Sequence, residues 1–123
     1  MGTKNQESTK FYSNAQEEYF SKFIGARKVP ASGGCRFNCG DIVADNWLFE
    51  CKCPMSEKQS FSLKREWFTK NEREKHQLQK PYSGIVFQFA PNTTNYVVID
   101  EKTFRLMYNI FEGYGDNNDE NNN

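Results

Sequence analysis

Residues 40–54, GDIVADNWLFECKCP, constrain the fold of this chain more than any other stretch. Asp45 and Asn46 tolerate positive φ and suit a two-residue turn joining two antiparallel strands. With that turn Ala44 faces Trp47 and Asp41 faces Glu50. The two-residue period of a strand then divides the hairpin. One face collects Asp41, Val43, Leu48, Glu50 and Lys52, and the other collects Ile42, Ala44, Trp47, Phe49, Cys51 and Cys53. The second face is apolar throughout and reads as core. The first carries charge at one end only, which fits a central sheet covered by helices on both sides.

The charged end raises a chemical question. Directly opposed residues have Cβ atoms about 4.5–5.5 Å apart, so Asp41 and Glu50 repel one another unless something neutralises them. A hard divalent cation such as Mg²⁺ takes one or two carboxylates together with waters and phosphate oxygens, and it meets that need. Lys52 points to the same side as Glu50, about 6.5–7 Å along the strand, within reach of a metal-bound water or a phosphate. The rival reading is a polar strand end with an ordinary ion pair, which does not account for two opposed carboxylates.

Around the hairpin, the apolar spacing of Ala15, Tyr19, Phe20, Phe23 and Ile24 predicts a helix over residues 14–24 that stops at Gly25. ARKVPASGG reads as a short strand running into a Gly-rich loop. SFSLKREWFTKNEREKHQLQK predicts a second helix, with serine candidates for its N-cap and Leu63, Trp67 and Phe68 inward. SGIVFQFA and NYVVID predict two strands around the turn PNTT, and EKTFRLMYNIFEG a terminal helix. The expected class is α/β, a mixed central sheet flanked by helices in the order αβββαββα. One domain over 14–112 follows, with a flexible segment over 1–13 and a polar, Asn-rich tail over 113–123 that has too few apolar side chains to order itself.

The formal charge of zero hides a segregation: residues 21–80 hold twelve Lys and Arg against seven Asp and Glu, while residues 112–123 hold four acids and no base. A basic middle is compatible with a phosphate-rich partner. The cysteines, in CRFNC and CKC, are spaced C-x3-C and C-x-C, off the usual C-x2-C of a structural Zn²⁺ site. Cys51 and Cys53 should point into the apolar face as small hydrophobes. Bound Zn²⁺ is therefore not the expectation. The single His76 sits in a charged run and reads as a surface residue.

GDIV followed by ECK resembles the PD-(D/E)XK nuclease superfamily, in which an Asp and an E-x-K lie on adjacent strands; Asp41, Glu50 and Lys52 match that motif. The similarity extends to phage-encoded and archaeal-type Holliday junction resolvases through Glu17, RKVPASGG, GDIV, ECK and SLKREW, over roughly residues 14–99. The cysteines and the Asn-rich tail depart from that pattern. The resemblance implies a restriction-endonuclease-like core and Mg²⁺-dependent hydrolysis of DNA phosphodiesters, with Mn²⁺ able to substitute. It implies metal held by Asp41 and Glu50 with Glu17 from the first helix, Glu18 being the adjacent competitor, and Lys52 beside the attacking water. Ser32 would lie near the cleaved strand, and Arg27, Lys28 and Lys64 would meet backbone phosphates, Lys64 from the first turn of a helix whose free N–H groups favour anions.

The expected substrate is branched DNA and the expected assembly a two-fold homodimer, with one site for each cut. Phe104, Leu106, Met107, Ile110 and Phe111 either form the dimer surface or cover the sheet. Two alternatives stand beside this: another nuclease of the superfamily, in repair or phage DNA processing, and a non-catalytic nucleic-acid-binding module with Zn²⁺ on Cys35, Cys39, Cys51 and Cys53. No apolar run approaches 18 residues and no signal-type segment is present, so the expected location is the cytoplasm, of the host cell for a phage-encoded protein.

Overall fold

The computed structural model describes residues 2–28 and 41–113, with side chains given for 11–26 and 41–113. Its elements run α1 (Gly2–Ile24), β1 (Arg27–Lys28), β2 (Ile42–Val43), β3 (Trp47–Lys52), α2 (Arg65–Gln77), β4 (Tyr82–Phe87), β5 (Tyr96–Val98) and α3 (Glu101–Glu112). The five strands form one sheet in the order β1-β2-β3-β4-β5, antiparallel except for the parallel pair β3 and β4. The chain is thus α/β with a mixed sheet. The tail from residue 114 lies outside the described residues.

The hairpin pairs Ile42 with Phe49 and Val43 with Leu48, and the Ala44 N–H donates to the Trp47 carbonyl at 2.8 Å across the turn. Ile42, Phe49, Cys51 and Val86 pack with Phe20 of α1 in one core cluster. Phe20 meets Phe49 edge-on with ring centroids 5.3 Å apart, and Phe49 stacks on Trp47. Glu50, the next residue along β3, faces α2 instead, where Lys70 reaches its carboxylate. Alternation along this one strand therefore sends the core to α1 and the charges to α2. β3 is almost continuously buried, as a strand with neighbours on both sides and helices over both faces should be.

The elements differ from expectation in four places. α1 begins at Gly2 rather than near Asn14. No proline interrupts residues 2–13, and adding residues to a helix nucleated elsewhere costs little. Its inward face is also different: Tyr19, Phe23 and Ile24 are exposed, while Gln16, Phe20 and Ser21 are buried. The Gln16 amide is inside because it satisfies strand-end carbonyls, as described below. The helix closes at Gly25, in the left-handed region at φ 75°, with the Ala26 N–H bonded to the Ser21 carbonyl.

α2 starts at Arg65, with Lys64 as N-cap residue and no capping side chain, so the serines do not cap it. Phe61 stacks on Phe87 at 4.9 Å and keeps the entry extended. Leu63 is consequently exposed, and the helix buries Asn71 and Glu74 with Trp67 and Phe68 half-buried. In α3, capped by Asp100 and by left-handed Gly113, Thr103 and Asn109 are buried and Leu106 half-buried. Phe104, Met107, Ile110 and Phe111 are exposed, the last by 80%. Among the described residues no helix is long and apolar enough to cross a membrane.

Candidate active site

The hairpin register that pairs Ile42 with Phe49 puts Asp41 opposite Glu50 at the end of β3. The Asp41 N–H donates to the Phe49 carbonyl at 2.9 Å, and its carboxylate Oδ2 accepts from the Cys51 N–H at 2.7 Å. Burial pushes the Asp41 carboxyl up to about 6; the Cys51 N–H opposes the shift, Glu50 adds to it, and Lys52 and Lys70 oppose it. A raised acid beside a second carboxylate makes this strand end a candidate site.

Glu50 is 5% exposed, and a buried carboxylate requires charged partners. It has two: Lys52 Nζ at 3.1 Å and Lys70 Nζ at 3.2 Å. Lys70 also reaches Glu74 at 3.4 Å, and Glu74 is itself buried. Burial works against the Lys70 ammonium, but Glu50 and Glu74 outweigh it and hold its pKa above the ordinary lysine range. Lys52 Nζ lies 4.5 Å and Lys64 Nζ 5.9 Å from the centre of the Trp67 ring, both within cation–π range. The cluster opens on a cleft of about 530 Å³ walled by Glu50, Lys52 and the Trp67, Lys70 and Arg73 side of α2.

Of the residues singled out in the sequence, Asp41, Glu50 and Lys52 meet here. Glu17 is half-buried on α1 and close enough for its charge to act on the Cys51 thiol, whereas Glu18 is exposed and pairs with Lys22 at 3.7 Å. Lys64 stands at the N-cap of α2 rather than within its first turn. Arg27 and Lys28 form β1, with only their backbone described, and Ser32 lies outside the described residues.

Lys70, Trp67 and Glu74 are the site residues that the sequence reading passed over. Positions 67, 70, 71 and 74 follow i, i+3, i+4, i+7 spacing, and that mixed polar stripe was the signal that could have found them.

The donor set bears on which ion would fit. Among the described residues, no group of three or more His, Cys, Asp or Glu is arranged to hold a metal. Asp41 and Glu50 are two hard oxygen donors, which suits Mg²⁺ completed by water and phosphate and does not suit an all-protein cage. Cys51 is buried in the core, and burial drives its thiol pKa up. Cys53 bonds to the Gln88 Oε1 at 3.1 Å, and Cys35 and Cys39 lie outside the described residues. No family model, curated protein or solved structure matches this chain.

Proposed function

We propose that the protein is a metal-dependent DNA endonuclease with a restriction-endonuclease-like core, and that its substrate is a four-way branched junction. The observation that carries the reading is the pair of opposed carboxylates, half-buried Asp41 and buried Glu50, at a strand end with Lys52 bonded to Glu50. That arrangement has a cost in stability, which a structural role would not require. The α/β class and the mixed sheet, with a parallel β3–α2–β4 unit beside the antiparallel hairpin, are the features of the fold that support this reading.

Asp41 and Glu50 would hold Mg²⁺, or Mn²⁺ in its place. Bound there, the ion polarises the phosphodiester and lowers the pKa of a coordinated water. Lys52, fixed by Glu50 on one side and the Trp67 ring on the other, is placed to stabilise charge growing on the phosphate. Lys70 neutralises Glu50 and would keep Glu74 as its second partner if Glu50 held a cation instead. Glu17, whose charge acts on the neighbouring Cys51, would be the extra acid from α1, and Arg73 lines and Lys64, over the Trp67 ring, flanks the cleft where the DNA backbone would run.

A junction needs two coordinated cuts, which a two-fold dimer supplies, and the exposed apolar stripe of α3 is the face we assign to it. The test is a gel assay on a synthetic four-way junction, the matched linear duplex and a single strand, each with Mg²⁺ and with EDTA. Symmetric nicking of the junction alone, lost with EDTA, is the expected result. Cleavage of duplex or single strand would retain the nuclease and overturn the substrate; no cleavage of any DNA would overturn both.

A further inference from the structure

Both oxygens of the Glu50 carboxylate are covered by ammonium groups. Lys70 Nζ lies 3.2 Å from Oε1 and 3.4 Å from Oε2, and Lys52 Nζ lies 3.1 Å from Oε2. A divalent ion and an ammonium at one carboxylate repel each other as like charges, so an ion binds at Glu50 best once one of the two lysines has withdrawn.

The two lysines are not equally placed to withdraw. Lys52 stands on β3 two residues from Glu50 and lies over the Trp67 ring. Lys70 comes from α2, lines the cleft, and reaches the Glu74 carboxylate at 3.4 Å as well as Glu50. Glu74 is 3% exposed, so it too needs a cation beside it. An ordinary helix pair does not account for this arrangement. Lys70 precedes Glu74 by one turn, the less favourable order for stabilising a helix, and the acid is buried where a surface pair would leave it in water.

We propose that Lys70 is a displaceable counter-ion, which covers Glu50 in the metal-free protein and withdraws onto Glu74 when a divalent cation binds, so that Glu74 sets how readily the site loads. Because Nζ already bonds both acids, the withdrawal is a rotation of one side chain and needs no movement of α2. Lys70 and Glu74 act through Glu50 and are positioning residues. The inference rests on the nuclease reading and deepens it, since it names what regulates occupancy of that same site.

The experiment is a double-mutant cycle read by binding of Mn²⁺ alone to the full chain, without DNA, from the electron paramagnetic resonance of the free ion. Lys70→Met should bind Mn²⁺ at least about tenfold more tightly than the native protein, and Glu74→Gln, which leaves Lys70 with Glu50 only, at least about fivefold more weakly. Placed on Lys70→Met, Glu74→Gln should change the affinity by less than about twofold, because Glu74 acts through Lys70; a mere change of local charge would shift it by the same factor in both backgrounds. Where Lys70→Met does not fold, the double variant, which removes both members of the pair, should still bind Mn²⁺ more tightly than the native protein. No tightening, or the same Glu74→Gln factor with and without Lys70, would overturn the exchange and keep the metal site. Absence of Mn²⁺ binding in every variant, or binding unchanged by Glu50→Gln, would overturn the nuclease reading and the exchange with it.

Discussion

The two faces of β3 are built on opposite principles. Toward α1, Phe49 and Cys51 pack with Phe20, Ile42 and Val86 in a cluster without charge. Toward α2, one residue away, Glu50 and Lys52 join Lys70 and Glu74 in a cluster held by ion pairs. The first face contributes stability through apolar burial. The second gives some of it up, because two carboxylates are desolvated there and Asp41 is held partly protonated near neutral pH. The difference teaches that a six-residue strand can carry both an apolar core and a charged cluster, with alternation keeping them one side chain apart.

The largest effect in stability belongs to the apolar face. Phe49→Ala removes a buried ring that stacks on Trp47 and meets Phe20, and should cost about 3–5 kcal/mol in urea unfolding. A loss below about 1 kcal/mol would mean that this face is not the core. Lys70→Met leaves Glu74 without that ion pair and Glu50 with Lys52 alone, and should cost about 2 kcal/mol at pH 7.5, discounted for a lysine partly open to solvent. Because the Lys70 pKa is raised in the fold, its contribution is complete below the ordinary lysine range and is lost as pH rises through the raised value, so the deficit should persist at neutral pH and close only in strong alkali.

Asp41→Asn should act in the opposite sense. The folded state holds the Asp41 proton up to about pH 6, whereas the unfolded chain releases it near 3.8. The group's contribution is therefore complete below about pH 4 and is lost as pH rises through 6. Replacing it should raise stability at pH 7.5 by about 1–2 kcal/mol and flatten the pH dependence between 4 and 6, and on the proposed function it should abolish metal-dependent cleavage. A destabilised Asp41→Asn at pH 7.5 would show that the acid is structural. The smallest effect is Asp100→Ala, which removes the N-cap bond to the Thr103 N–H and should cost about 0.5–1 kcal/mol in the same measurement.

How much of this was legible in the sequence follows the same division. The hairpin could be read because a strand's period of two is rigid: once Asp45 and Asn46 are the turn, every pairing from Ala44 with Trp47 outward is fixed. Helix faces are less constrained. Tyr19, Phe23 and Ile24 look inward by spacing, yet the packed positions are Gln16 and Phe20, because the Gln16 amide answers carbonyls at the ends of two distant strands. No local pattern carries that demand. Lys70 and Glu74 lay in a run of charges that reads as a solvated surface, and they became site residues only when α2 was laid over Glu50. Phe61 had the same effect on the start of α2, through a contact with Phe87 on β4.

The central claim is that the charged face of β3 is an active site. The most direct test is the initial rate of Mg²⁺-dependent junction cleavage by Glu50→Gln against the native protein, at equal folded fraction. Removing one oxygen donor and its charge should lower the rate by at least about 10³-fold while the protein remains folded, on the scale of other lost electrostatic groups. A rate within about tenfold of native would contradict the account, because the buried carboxylate would then be part of the scaffold and not of the chemistry.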